Sequence, residues 1–158
     1  MEQYIPKLKV TRVLWGMPEQ DWIKVNTDGA SRGNSGRSSI GFVLRDSEGD
    51  VIYARGKEIQ KGTNVEAEAI AILEVIKECV QQGYVNIHIQ TYSLLMNNVV
   101  DGIWDIPWSI EKYVQEIKLY MSRCNYRLSR IMREGNKLAD FLANHALDYG
   151  DNEAHNFQ

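Results

Sequence analysis

The chain has 158 residues, 44% of them hydrophobic and 25% charged, with a formal net charge of −3 and a pI near 5.6. That length suits one domain with a real core. The acidic balance excludes a strongly basic, non-specific nucleic-acid binder, though not a local basic patch or a site that meets phosphate through metal ions; no apolar run approaches the roughly 18 residues of a membrane span.

The opening, Met1 to Lys7, lacks the apolar core of a signal peptide, so the expected location is intracellular, nucleus or cytoplasm. Cys79 and Cys124 have no metal-type spacing and read as free buried thiols in a reducing compartment. Residues 1–21, punctuated by Pro6, Gly16 and Pro18, read as a lead-in whose Trp15 packs onto the domain with Trp22. The folded domain is expected over residues 22–149 and a mobile tail over residues 150–158.

Ile23 and Val25 alternate with Lys24 and Asn26, which predicts a first strand ending on Asp28. It runs into a loop whose Gly29, Gly33 and Gly36 allow tight turning and close approach of a ligand. A carboxylate at a strand end beside such a loop suits a metal ligand; the same stretch also reads as a hairpin turn with Asp as a turn residue. Residues 39–45 and 51–59 predict two more strands around the turn Asp46 to Asp50, giving an antiparallel meander. Thr63 or Asn64 can cap a helix that carries Glu66 and Glu68 early, an apolar stripe through Ala69, Ile72, Leu73, Ile76 and Val80, and a stop at Gly83. Glu66 fits a surface acid matched to the helix dipole; Glu68 fits that reading too, or a ligand beside the buried stripe.

Residues 86–92 predict a fourth strand, which follows a helix and should lie parallel to a neighbour. A short helix to about Asp101, a corner through Trp104, Pro107 and Trp108, and an amphipathic helix through Ile110, Tyr113, Val114, Ile117 and Met121 come next. Cys124 to Arg133 predicts a fifth strand, and Lys137 to Tyr149 a last helix. There Leu138 and Leu142 form one apolar stripe, while Asp140 lies on another face, ringed by Ala139, Ala143 and Leu147. A carboxylate so placed is costly unless paired, hydrogen-bonded or bound to metal, unless it is simply an acid matched to the helix dipole. His88 reads as a packed strand histidine and His145 as a boundary residue of the last helix. In such an alternating order the crevice opens at the C-terminal ends of the parallel strands.

Four stretches in this order and spacing resemble ribonuclease H: Asn26-Thr27-Asp28-Gly29-Ala30, Thr63-Asn64 with Ala67-Glu68, Gln90-Thr91-Tyr92-Ser93, and Arg133 to Asp140. The Trp22-Ile23-Lys24-Val25 lead and the Arg133 to Asn144 ending are similar to the plant reverse-transcriptase-associated, retroelement-type members. The resemblance covers residues 15–148. It implies an α/β fold, a five-stranded mixed sheet of order 3-2-1-4-5 with helices on both faces. It also implies an endonuclease in which carboxylates hold two Mg2+ or Mn2+ ions to cut the RNA strand of an RNA–DNA hybrid. Asp28, Glu68 and Asp140 match the first, second and fourth metal ligands. Asn34 and Asn64 match minor-groove and 2′-hydroxyl contacts, and Thr63 part of a DNA phosphate contact.

The third ligand departs from the family pattern. Tyr92 stands where the resemblance implies an Asp, and a neutral phenol of pKa about 10 offers neither the charge nor the bidentate reach of a carboxylate. The expectation is that an ion is lost or displaced and hydrolysis falls by several powers of ten, with the hybrid bound weakly. Two other readings stay open: a non-catalytic nucleic-acid-binding or protein-interaction module, and an active enzyme that recruits Asp101 or water. The histidine that the family often carries before the last helix is absent from Arg130 to Glu134, and a short corner, Gly102 to Ser109, replaces the basic protrusion of some relatives.

Overall fold

The structure, a computed structural model, describes residues 22–155; the expected lead-in with Trp15, and residues 156–158, lie outside the described residues. Strands β1 (Trp22–Ser31), β2 (Gly36–Arg45) and β3 (Val51–Gly62) form the meander. Helix α1 (Asn64–Gln81), strand β4 (Asn86–Thr91) and helix α2 (Leu94–Val100) follow. A 3-10 turn (Trp108–Ile110) leads into α3 (Glu111–Met121), then β5 (Asn125–Arg130), a second 3-10 turn (Arg133–Asn136), α4 (Lys137–Tyr149) and β6 (Asn152–His155). The sheet order is β5-β4-β1-β2-β3-β6, so the expected five-strand order stands with one strand added.

The sixth strand corrects the expected mobile tail. Residues Asn152 to His155 pair antiparallel with β3, Tyr53 opposite His155 and Gly56 opposite Asn152. Tyr53 donates its hydroxyl to Glu153 and packs its ring 4.6 Å from that of His155. The open edge of β3 supplied backbone partners that weak apolar content did not advertise.

Helix α1 begins at Thr63, whose hydroxyl accepts from the Glu66 amide while the Glu66 carboxylate accepts from the Thr63 amide. Glu66 is therefore half of a capping box rather than a plain surface acid. Of the predicted stripe Ala69, Ile72, Leu73 and Ile76 are buried and Val80 only partly, while Ala67, Ala71, Val75 and Cys79 are buried as well. The sheet lies on one side, and Val114, Ile117 and Met121 of α3 join the same core on the other.

Glycines decide how closely the helices sit. A Cβ on Gly29 would lie 2.3 Å from the Ala67 carbonyl carbon, and one on Gly41 would lie 2.2 Å from the Ala139 oxygen. Gly41 pairs with Asp28, and Gly29 is the next residue along, so the two glycines face opposite sides of the sheet. Thus α1 is drawn onto one face at Gly29 and α4 onto the other at Gly41. Gly29 lies inside β1, not in a ligand-facing loop as expected. The α4 contact is made by Ala139, Ala143, Ala146 and Leu147, all buried, while Leu138 is exposed. The expected Leu138–Leu142 stripe is therefore corrected to an alanine-rich one, because small side chains permit the close approach at Gly41 and Gly56.

Candidate active site

The three parallel strands finish level. Parallel pairing of β1 with β4 stops at Thr27 and Thr91, and that of β4 with β5 stops at Thr91 and Arg130. The antiparallel pairing of β1 with β2 continues to Ser31 and Ser38, so β1 does not end on Asp28, as the sequence suggested, but loses one of its two neighbours there. A cleft of about 500 Å³ opens at this level. Asp28, Glu68, Tyr92, Arg130, Arg133, Asn136, Asp140 and Asn64 are among its lining residues.

The three carboxylates that the sequence singled out meet here. Gly29 donates its amide to Glu68 at 2.9 Å, and Thr91 donates its hydroxyl to the other Glu68 oxygen at 3.5 Å. Glu68 is thus fixed by the residue after Asp28 and the residue before Tyr92. Burial first, then the charge of Glu68 and hydrogen bonds to Glu68 and Asp140, push the Asp28 carboxyl up to about 9. Burial also raises Glu68, offset by hydrogen bonds from Asp28, the Gly29 amide and Thr91. Both directions have one cause: burial and mutual repulsion oppose ionisation of the two neighbouring acids together when no cation lies between them.

Asp140 differs from its expected setting. It is exposed, not ringed by Ala139, Ala143 and Leu147, because those three turn to the sheet while Asp140 points to the cleft rim. Asn144 donates to its carboxylate at 3.2 Å. Buried Asn136 donates to the Thr27 carbonyl at 2.8 Å, tying the start of α4 to the strand residue before Asp28. Its Oδ1 has no protein partner.

Tyr92 lines the cleft with the acids, and two arginines contact its ring. The guanidinium carbons of Arg133 and Arg130 lie 5.0 Å and 5.6 Å from the ring centre. Arg130 also donates to the Tyr92 carbonyl at 3.3 Å. Interaction with the Tyr92 side chain is the largest cause raising Arg133, and Asp140 and Asp28 favour its charge as well. Neither arginine had been assigned a role in the sequence. The signal was the end of the fifth strand, which the sequence reading carried to Arg133 and the structure ends at Arg130.

The residues expected to contact nucleic acid lie together, and of them Asn64 lines the cleft. The Asn64 amide donates to the Asn34 Oδ1 at 2.8 Å, and the Ser31 amide donates to the Asn64 Oδ1 at 2.8 Å. Asn34 holds a positive φ of 38°, and Thr63 caps α1 immediately before Asn64. His88 is a packed strand residue, 2.8 Å from the Ser129 hydroxyl. His145 stacks between Phe141 and Tyr149 on α4. Cys79 and Cys124 are free thiols, the first buried. Among the described residues, no three His, Cys, Asp or Glu side chains form a ready-made metal cage, and no helix is long and apolar enough to cross a membrane.

The sequence profile of the reverse transcriptase-like family matches residues 26–146. The chain belongs to this family, within the ribonuclease H fold. It is 32% identical over 123 residues to a ribonuclease HI of Halobacterium salinarum, covering 77% of this chain and 62% of that protein. It is 31% identical over 150 residues to an Arabidopsis thaliana protein provisionally named a ribonuclease H protein, covering 90% of this chain and 23% of that one. This chain therefore spans less than two thirds of either relative. The crystal structure of ribonuclease H1 from Halobacterium salinarum superposes with a TM-score of 0.78 at 28% identity, over 80% of this chain and 98% of that one. LC11 ribonuclease H1 in complex with an RNA/DNA hybrid gives 0.76 at 26% identity, over 80% and 96%.

Proposed function

We propose that this reverse transcriptase-like domain binds RNA–DNA hybrids at the cleft and that Tyr92 leaves it with strongly reduced hydrolysis. The observation that supports this most is the company Tyr92 keeps. It lines the same cleft as Asp28, Glu68 and Asp140, at the level where the parallel strands end, and its ring is contacted by the guanidinium groups of Arg133 and Arg130 rather than replaced by a fourth acid.

The donors fit a hard divalent cation such as Mg2+ or Mn2+. Carboxylate oxygens are the ligands such ions prefer, and burial raises the Asp28 and Glu68 carboxyls in a way that a cation would relieve. Asp28, Glu68 and Asp140 would hold it, and when bound it supplies charge neutralisation for the phosphate and a more acidic water. With a phenol in place of the third carboxylate, the set has lost a charged donor. The remaining work falls to the chain. The Gly29 amide and Thr91 hydroxyl orient Glu68, and Asn136 fixes the strand residue before Asp28. Asn34 and Asn64 use their carbonyl oxygens within the protein, so their amide NH2 groups are the ones we assign to the 2′-hydroxyls and base edges of the minor groove. Thr63, at the tip of α1, is assigned to a DNA phosphate.

The test is cleavage of an end-labelled hybrid in Mg2+ or Mn2+ by the natural chain and by Tyr92→Asp. The expected result is little product from the natural chain and clear product from the variant. Binding without cleavage by either would favour a purely binding module. Cleavage of equal speed by both would refute the role given to Tyr92.

A further inference from the structure

We propose that Arg133, gripped by Tyr92, takes the charge role of a second cation, making the cleft a one-ion site that holds a backbone phosphate partly by a guanidinium. This rests on the hybrid-binding reading above. The geometry carries it. Arg133 is exposed at the cleft wall, and its guanidinium carbon lies 5.0 Å from the Tyr92 ring centre. Arg130 braces the same ring from 5.6 Å and bonds the Tyr92 carbonyl, so two cations contact the one ring. Such contacts restrict a long side chain that would otherwise sample many rotamers.

Charge points the same way. Four carboxylates are balanced by two divalent ions, and three carboxylates are balanced by one divalent ion with one guanidinium. Tyr92 in place of a carboxylate removes one negative charge and supplies the aromatic ring over which a positive one is held. A planar guanidinium with several donors matches phosphate oxygens in a fork, as an ammonium does not. The ligand class is therefore a phosphodiester of the hybrid backbone, met by Arg133 on the Tyr92 side and by the carboxylate-bound ion on the Asp28 side.

Two measurements test this on the full chain. In the first, anisotropy of a fluorescent RNA–DNA hybrid is followed in EDTA across a salt series, with inorganic phosphate as a competitor. Arg133→Gln should weaken binding by about 5- to 10-fold and lower the salt slope by about one, and Arg133→Lys should keep the slope while losing part of the affinity. Tyr92→Phe should fall between the natural chain and Arg133→Gln. Arg133→Gln binding like the natural chain would overturn the proposal, as would relief of the Arg133 effect by millimolar phosphate without displacement of the hybrid. In the second, Mn2+ is titrated without nucleic acid and bound ions are counted by electron paramagnetic resonance. One ion on the natural chain and two on Tyr92→Asp support the proposal; two on both overturn it. Failure of the hybrid to bind any variant, with the ion counts as expected, would refute the choice of nucleic acid and leave Arg133 as the substitute cation.

Discussion

The two halves of the cleft are built differently. Asp28 and Glu68 form a half set by the sheet: Gly29 lets α1 touch β1, and backbone and hydroxyl donors lock Glu68 in place. Half-buried Tyr92 and exposed Arg130, Arg133 and Asp140 form a more exposed half, set by side chains in the turn after β4, at the end of β5 and around the start of α4. The first half is constrained by packing, so any change there disturbs the fold. The second can change its chemistry at low structural cost, because the turn holding Tyr92 is fixed by its neighbours. Thr91 accepts from the Ser93 amide, and Ser93 caps α2. A carboxylate can become a phenol here without moving the backbone. The chain differs from the family pattern in the half where difference is inexpensive.

The sharpest way to probe this contrast is to restore the second half. Tyr92→Asp should raise hybrid cleavage by about a hundredfold or more, corresponding to about 3 kcal/mol of barrier or more, as measured by single-turnover cleavage in Mg2+. Its melting temperature should stay close to that of the natural chain, since the substitution lies in the exposed half. A loss of stability comparable to that of a core mutant would show that the two halves are not separable.

The complementary change attacks the first half. Gly29→Ala places a methyl within 2.3 Å of the α1 backbone, where no flexible side chain can give way. It should cost about 3 kcal/mol or more by overpacking, seen as a lower denaturant midpoint with an unchanged slope. Gly41→Ala should do the same from the α4 side. An accommodated Gly29→Ala would mean that α1 is not held by that contact.

These two changes also mark where the sequence was informative. The strand order and the convergence of Asp28, Glu68 and Asp140 were legible, because alternation, helical stripes and four spaced motifs all depend on local pattern. The role of Gly29 was not, since a glycine serving a turn and one serving helix–strand contact look alike until the facing backbone is known. The setting of Asp140 was missed for a related reason: alanines were read as surroundings when they were the packing surface. The sixth strand depended on an edge of β3 that only the assembled sheet presents. Arg133 was counted as the end of a strand, and its partnership with Tyr92 spans residues that are distant in the chain.

Acidity gives a smaller but diagnostic effect. The folded Asp28 carboxyl is raised to about 9, above its unfolded value, so the folded state binds more protons than the unfolded state through the intervening range. Its stabilising contribution is complete at acidic pH and is lost as pH rises through about 9. In EDTA, melting temperature should therefore decline from neutral toward alkaline pH, and Asp28→Asn should flatten that decline. A divalent ion should oppose it by favouring the charged pair. A profile identical in the two proteins would remove the Asp28–Glu68 proton from the description.

The smallest effect distinguishes a tether from a cap. Asn136→Ala removes the bond that joins the start of α4 to the Thr27 carbonyl and should cost about 1–2 kcal/mol. Thr63→Ala removes only the α1 cap and should cost about 1 kcal/mol. The stability losses are similar, but their reach should differ. Asn136 connects the two halves, so its loss should also loosen Asp140 relative to Asp28 and weaken Mn2+ binding. Thr63 caps α1 and does not line the acid cleft, so its loss should leave Mn2+ binding intact while weakening the hybrid. Equal Mn2+ affinity in the two variants would mean that the rigid half alone organises the acids, and that Asp140 follows α4 without help from Asn136.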